Sequence, residues 1–279
     1  MSDIPQNDEE ARAWLRALGH AGDGPHDIAM AALMLSALDH GGRSLDPYRS
    51  HLAEIDEAAR RALGEARNAE EAARALGVLM TGQFGYDGDR LSYDAPQNAD
   101  FISVIARRRG LPVALGILYM HGARAAGLKA AGLVSPGHFL LQLTLRGSEA
   151  IIDPFNGGTA IDRERLGAPP VMGAHEPDEA NLTQTVSDVD VLLRLQNNQR
   201  IRALQTGDGL RGLEIANRMV LIAPRRGELW LELARLNDAM GSLGAASRAY
   251  ESCMALAKPG EALHNEAALG LSGLKRRLN

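Results

Sequence analysis

Two residues in the middle of the chain carry the strongest chemical signal, His138 and Asp153, which stand 15 positions apart. An imidazole titrates nearest to neutral pH, and it becomes a directed general base when a carboxylate holds one ring nitrogen and leaves the other to accept a proton. Both lie at the ends of short apolar or alternating runs that read as strands, Phe139 to Leu145 and Ala150 to Asp153, joined by Arg146-Gly147-Ser148. Two adjacent antiparallel strands can set both side chains on one face. Asp153 would then hold His138 and aim its free nitrogen at the start of the preceding helix, which Pro112 opens. The same pair also reads more plainly as a hydrogen-bonded tie between sheet and helix, since buried polar groups need partners.

The elements that must position this pair follow from periodicity. Asp27 to Leu38 fits a helix with a wide apolar face, ended by Gly41-Gly42. Asp46-Pro47 begins a long amphipathic helix with Leu52, Ile55, Ala59 and Leu63 on one side, and Asn68 caps the next, through about Met80. Thr81 to Ala99 reads as an ordered loop anchored by Phe84, Tyr86 and Tyr93. Phe101 to Arg108 is a short helix stopped by Gly110, and Pro112 to about Ala126 is a largely apolar, hence buried, helix. Ala131 to Val134 is a further strand. Beyond Pro169-Pro170 a Gly-, Pro- and acid-rich stretch reads as a linker. From Asp188 onward the chain is helical with an internal echo: Gly207 and Gly241, and Gly212 and Ala246, are 34 apart, and Pro224 and Pro259 are 35 apart. A period of ~34 is that of the tetratricopeptide repeat. The expected divisions are a tail or short helix over 1–26, a first domain over 27–170, a linker over 171–187 and a helical tail over 188–279.

Composition narrows the function. The chain has 279 residues, 45% hydrophobic and 23% charged, which suits one large and one small folded unit. The net charge is -5 and the longest basic run is Arg107-Arg108-Arg109, so nucleic acid is not an expected partner. The longest apolar stretch, Leu111 to Met120, is half of the ~20 residues that span a bilayer, and no membrane association is expected. The polar, acidic start and the single Cys253 point to the cytoplasm. Cys253 reads as a buried helical thiol among Ser252, Met254 and Ala255. His121 reads as a core or boundary histidine and His175 as a linker residue. No paired ligands suggest a metal, no glycine pattern suggests a phosphate site, and no cofactor is expected.

Asn98, Arg108-Arg109-Gly110, Gly110-Leu111-Pro112, Pro136-Gly137-His138-Phe139 and Asp153-Pro154-Phe155-Asn156-Gly157-Gly158 occur in an order that resembles the SirB1 group of transglutaminase-like, papain-related proteins. The resemblance covers roughly Ala29 to Leu166, and the repeat-like tail is similar as well. It implies an α+β fold: a helical N-terminal part, a papain- or transglutaminase-like core with a small antiparallel sheet, then an all-α tetratricopeptide-like tail. It implies a remnant catalytic pair, His138 and Asp153, with Asn98, Arg109, Phe139 and Phe155 as binding residues. Active relatives place a cysteine at the position of Pro112, yet no Cys, Ser or Thr lies between Leu111 and Leu115. The expectation is therefore a pseudoenzyme that binds a protein or peptide through its cleft and tail. The alternatives are a hydrolase or amide-transfer enzyme in which His138 and Asp153 activate water, or a structural subunit of a larger assembly. One arginine of 107–109 is expected to pair with Asp153 or Asp100 at a helix C-terminus.

Overall fold

The computed structural model describes residues 8–135, 138–162 and 184–278. Its helices and strands run α1 (Asp8–Ala21), α2 (Ile28–Ala37), α3 (Asp46–Leu63), α4 (Ala69–Val78), β1 (Asp87–Gly88), α5 (Phe101–Arg107), β2 (Arg109–Gly110) and α6 (Pro112–Ala125). They continue with β3 (Lys129–Ser135), β4 (His138–Leu145), β5 (Ser148–Asp153), β6 (Thr159–Ile161), β7 (Thr185–Val186), α7 (Asp188–Gln205), α8 (Gly209–Ile222), α9 (Gly227–Ala239), α10 (Leu243–Leu256) and α11 (Ala262–Leu278). The class is α+β, as the sequence implies.

Local chemistry explains most boundaries. Asn68 takes an extended conformation and its side chain accepts the Glu71 N–H, while Asp27 and Asp100 cap α2 and α5 in the same way. Pro112 sits in the first turn of α6, where its missing N–H costs nothing. The β4–β5 hairpin closes on Arg146 and Gly147, both at positive φ, which matches the twist of the strands they join. The expected loop 81–99 is more regular than its composition suggests. A π-helical turn, Leu79–Gln83, carries α4 onward, and β1 pairs in parallel with β2.

The chain divides into two compact units, one of Met1–Ala11 with Asp23–Leu195 and one of Arg12–Gly22 with Gln196–Asn279. The break therefore falls inside α7, and the N-terminal segment is a 14-residue helix, most of which belongs with the tail. Of the expected linker, 171–183 lies outside the described residues. Thr185 and Val186 form β7, which pairs with Leu133 and Gly132 and completes a five-stranded sheet in the order β6-β5-β4-β3-β7, antiparallel throughout.

In the first unit the sheet packs on α6, whose side chains are nearly all buried. Phe139, only 1% exposed, enters a slot between Gly116 of α6 and Gly132 of β3. A methyl group at Gly116 would come within 2.4 Å of the Phe139 ring, and one at Gly132 within 3.0 Å. Beyond α6, Arg124 forms a two-pronged ion pair with the buried Asp188 of α7 at 2.7 Å and also donates to the Ala130 carbonyl, which ties helix, sheet and α7 together. The second unit has its own core, built from Val220, Leu231, Ala234, Ala246, Tyr250, Cys253 and Leu271 among others. Gly207 and Gly241 occupy matching places there, each at positive φ after one helix and before the next. Cys253 is buried, and burial pushes its thiol pKa up.

Gly116→Ala tests the close approach of α6 and β4. Helix propensity favours alanine by about 1 kcal/mol, whereas forcing atoms into a filled slot costs about 1–3 kcal/mol. Because Gly132 backs the ring on its other side, overpacking is expected to win. Urea unfolding should then show a net loss of stability; a gain would mean that the ring has room to move.

Candidate functional site

Asp153 ends β5, and its carboxylate accepts hydrogen bonds from the turn that follows it. One oxygen accepts the N–H groups of Phe155 at 2.9 Å and Asn156 at 3.2 Å, and the other accepts the Asn156 side-chain amide at 2.7 Å. Its backbone carbonyl accepts the Gly158 N–H at 2.8 Å, and Gly157 closes the turn at positive φ. Asp153 is thus the cap of the short 3-10 turn Pro154–Asn156 and is itself buried. His138 is the first residue of β4 and faces Ser135 in the register of β3; its side chain lies outside the described atoms, as do Pro136, Gly137 and His175. A cleft of about 420 Å³ opens beside Asp153, lined also by Asn156, Thr159, Ala160, Ile161 and Asp162.

The turn after Asp153 is held from several sides. Gly88 of β1 lies against Phe155 so closely that a methyl there would come within 2.6 Å of its ring, and the Gly157 carbonyl rests 3.0 Å from where a side chain at Gly77 would begin. Arg90 donates to the Phe155 carbonyl and the Asn156 side chain, and its guanidinium stacks 5.1 Å from the Phe155 ring centre. Tyr93 meets the same ring edge-on at 5.7 Å. Phe155 is therefore part of a packed but half-exposed aromatic and cationic cluster. Behind it, Tyr119 of α6 packs on Gly158 with its hydroxyl fully buried and unpartnered among the described residues. Burial, and then the charges of Asp87 and Asp153, raise the pKa of that hydroxyl far above the ordinary phenol value.

Of the remaining expected binding residues, Asn98 serves the start of α6. Asn98 is completely buried: its amide donates to the Ser92 and Tyr93 carbonyls, its side-chain oxygen accepts Arg107 at 2.8 Å, and its backbone carbonyl accepts the Leu111 N–H at 2.9 Å. The expected pairing of an arginine with Asp153 or Asp100 is not what forms. Arg107 pairs with Asp89 at 2.7 Å, and Asp89 also accepts both the N–H and the hydroxyl of Ser92. Those hydrogen bonds and Arg107 hold the Asp89 carboxyl well below the usual carboxylate range. Arg109 is exposed and donates to the Gly85 carbonyl. Phe139 is core rather than lining.

Arg108 leads to residues that the sequence reading passed over. It adopts a left-handed conformation and stacks on Tyr86 at 4.9 Å, and it also contacts His51, which is itself 2.8 Å from the Tyr86 hydroxyl. Burial pushes Tyr86 up to about 12, with Arg108 working against it. Burial and then the Arg108 charge lower the His51 pKa, outweighing Glu54. On the same helix Asp56 pairs with His121 at 2.9 Å; burial acts to lower His121, but the hydrogen bond and charge of Asp56 prevail and raise it. The available signal for His51 was its place on α3 three residues after Tyr48 and four before Ile55, which marks it as inward-facing. A third group, Ser36, Asp100 and His40, holds the residue types of a hydrolytic triad in an order that cannot relay a proton to serine: the carboxylate sits between the hydroxyl and the imidazole, and Ser36 also accepts the Ile102 N–H. Among the described residues no group of three or more His, Cys, Asp or Glu is placed to hold a metal ion, and no helix is long and apolar enough to cross a membrane.

Chemically, the cleft offers two carboxylates, Asp162 and the turn-capping Asp153, and the first turn of α6 holds Pro112, Val113, Ala114 and Leu115, none of which carries a thiol or hydroxyl. A model of the transglutaminase-like superfamily matches residues 46–197, more than half of the chain. A UPF0162 protein of Xylella fastidiosa (strain Temecula1) is 30% identical over 182 residues, which are 61% of this chain and 65% of that relative. A UPF0162 protein of Vibrio cholerae is 31% identical over 132 residues, 47% of this chain and 49% of its own length. Human F-box only protein 21 is 29% identical over 82 residues, 29% of this chain and 13% of that protein. The chain thus spans less than two thirds of these relatives. No solved structure matches.

Two expectations follow. Asp153→Ala removes the cap of a buried turn and should lower stability by about 1–2 kcal/mol in denaturant unfolding; an unchanged midpoint would mean that the backbone holds the turn without it. The two α3-linked histidines act in opposite directions. His51, its pKa below 6.5, favours the folded state above that value and loses the contribution as pH falls; His121, its pKa above 6.5, favours it below that value and loses the contribution as pH rises. Between about pH 5 and about pH 8 the two slopes should oppose in the wild type. His121→Asn should leave stability falling toward acid and His51→Asn should leave it falling toward alkali, each read from melting temperatures across that range.

Proposed function

Because the chain belongs to the transglutaminase-like superfamily, we propose that it is a non-catalytic, SirB1-type member that binds a protein or peptide in the cleft beside Asp153. The observation that carries this reading is the first turn of α6. It supplies no thiol and no hydroxyl, so the acyl transfer that a cysteine would begin has no attacking atom. The hydrogen bonds of Asp153 give that carboxylate a structural task of its own, since it accepts two backbone N–H groups and an amide as the cap of the turn 154–156. The half-exposed Phe155, with Tyr93 and Arg90 around it, offers aromatic and cationic contact at the edge of the same turn, the residue types that anchor interfaces. In this reading the helical pairs from α7 onward are tetratricopeptide-like and enlarge the contact surface, and the protein works in the cytoplasm.

A panel of peptide and amide substrates, offered to the wild type and to His138→Ala, separates binding from turnover. The expected result is no turnover by either protein and a ligand-dependent rise in melting temperature that survives the substitution. Turnover by the wild type that His138→Ala abolishes would replace this reading with a water-activating hydrolase.

A further inference from the structure

The second unit carries a groove that the superfamily fold does not account for. The α1 segment that joins this unit lies directly on the end of α8: a methyl at Gly19 would come within 2.3 Å of the Leu221 carbonyl oxygen and 2.9 Å of Pro224. Between α1 and α8–α9 this leaves a cavity of about 460 Å³ with an apolar floor of Val220, Leu221, Pro224, Trp230 and Leu233. The single N–H of Trp230 is already given to the Pro224 carbonyl at 2.8 Å, so what remains of the indole is apolar surface.

The rim is charged in one sense. Arg12, Arg16 and His20 line the groove from α1 at successive intervals of four residues, which aligns them along one helix face with ~6 Å between steps. Arg12 and Arg16 are exposed and make no hydrogen bond or ion pair among the described residues. Arg225 donates to the His20 carbonyl at 3.1 Å and adds a further positive charge at the end of α1. The one carboxylate in the lining, Glu214, lies 3.3 Å from Arg211 and is thus matched by a cation outside the groove.

We propose that this groove docks an acidic peptide segment of a partner protein, with an apolar side chain seated against Trp230 and flanking carboxylates on Arg12 and Arg16. The apolar floor supplies burial without selecting a sequence, while the unmatched arginine pair selects negative charge and rejects positive charge. This site is separate from the cleft beside Asp153. It involves neither Asp153 nor His138, so either assignment can fail while the other stands.

The test titrates the full chain into a fluorescein-labelled peptide of Glu and Leu residues around one Phe, and into its counterpart with Lys for every Glu, following fluorescence anisotropy. The acidic peptide should bind saturably and the basic one should not. The double substitution Arg12→Glu with Arg16→Glu should weaken binding by about tenfold or more while leaving the circular dichroism and melting temperature at wild-type values, since both side chains are exposed. Trp230→Leu, which keeps the floor apolar, should weaken binding less. Absence of acidic-peptide binding, equal binding of the two peptides, or unchanged affinity in the folded charge-reversed variant would each overturn the proposal.

Discussion

Phe139 occupies a slot that exists only because two facing residues have no side chains. Gly116 on α6 and Gly132 on β3 let helix and sheet approach within one ring's thickness, and the aromatic ring fills the space from β4. The contact fixes which face of each strand turns inward, because a one-residue slip would send Phe139 to the opposite face. It also fixes how far α6 lies from the sheet, and through that where the turn after Asp153 meets Tyr119 and Gly77. Full burial of an aromatic side chain contributes roughly 2–3 kcal/mol, but the geometric consequence is larger than that figure suggests. The turn 154–156, β1 and β4 all touch α6.

The polar networks divide the remaining work. The start of α6 is held from the loop side, where Asn98 binds the Leu111 N–H and Arg107 joins Asn98 to Asp89. Its end is held by Arg124 and Asp188. Both ion pairs include a carboxylate with under a tenth of its surface exposed, and each arginine makes a further hydrogen bond, Arg107 to the Asn98 side chain and Arg124 to the Ala130 carbonyl. Such pairs add little net stability compared with apolar packing, yet removing one partner strands a buried charge. They define the ends of the helix more than they stabilise it. The Tyr119 hydroxyl is among the buried polar atoms that find no hydrogen-bond partner among the described residues, as are both polar atoms of the Gln196 side chain.

What could be read from the sequence was what local chemistry decides. Asn68 as a cap, Pro112 as a helix start, Arg146-Gly147 as a hairpin turn and the strands 131–134, 139–145 and 150–153 all depend on residues within a few positions of one another. The superfamily was legible as well, since its motifs are short and ordered. Illegible parts were those decided by distant partners. Nothing near Arg107 distinguishes Asp89 from Asp100 or Asp153 as its carboxylate. Thr185 and Val186 lie in a polar stretch too short for alternation to show, and only the free edge of β3 makes them a strand. His51 acquires its environment from Tyr86 and Arg108, 35 and 57 residues away. Asp153 was placed correctly at a strand end, but the partners its carboxylate takes, two and three residues further on, form a local turn cap that the reading did not name.

The membership of α1 has a consequence for how the chain acquires its structure. Residues 12–22 belong with 196–279, so the second unit draws on both flanks of the first. Contacts within α8–α11 join neighbouring helices and close short loops, and they can form quickly. Seating α1 requires closing a loop that contains the whole of Asp23–Leu195, and the entropic cost of closure grows with loop length. That cost falls sharply once the intervening segment has collapsed to native size. During synthesis from the N-terminus, α1 leaves the ribosome early and must wait for α8, nearly 190 residues later, before Gly19 can meet Leu221. The groove walled by this helix is therefore completed later than either helix alone, and it exists only in chains extended at least as far as Leu233 of α9.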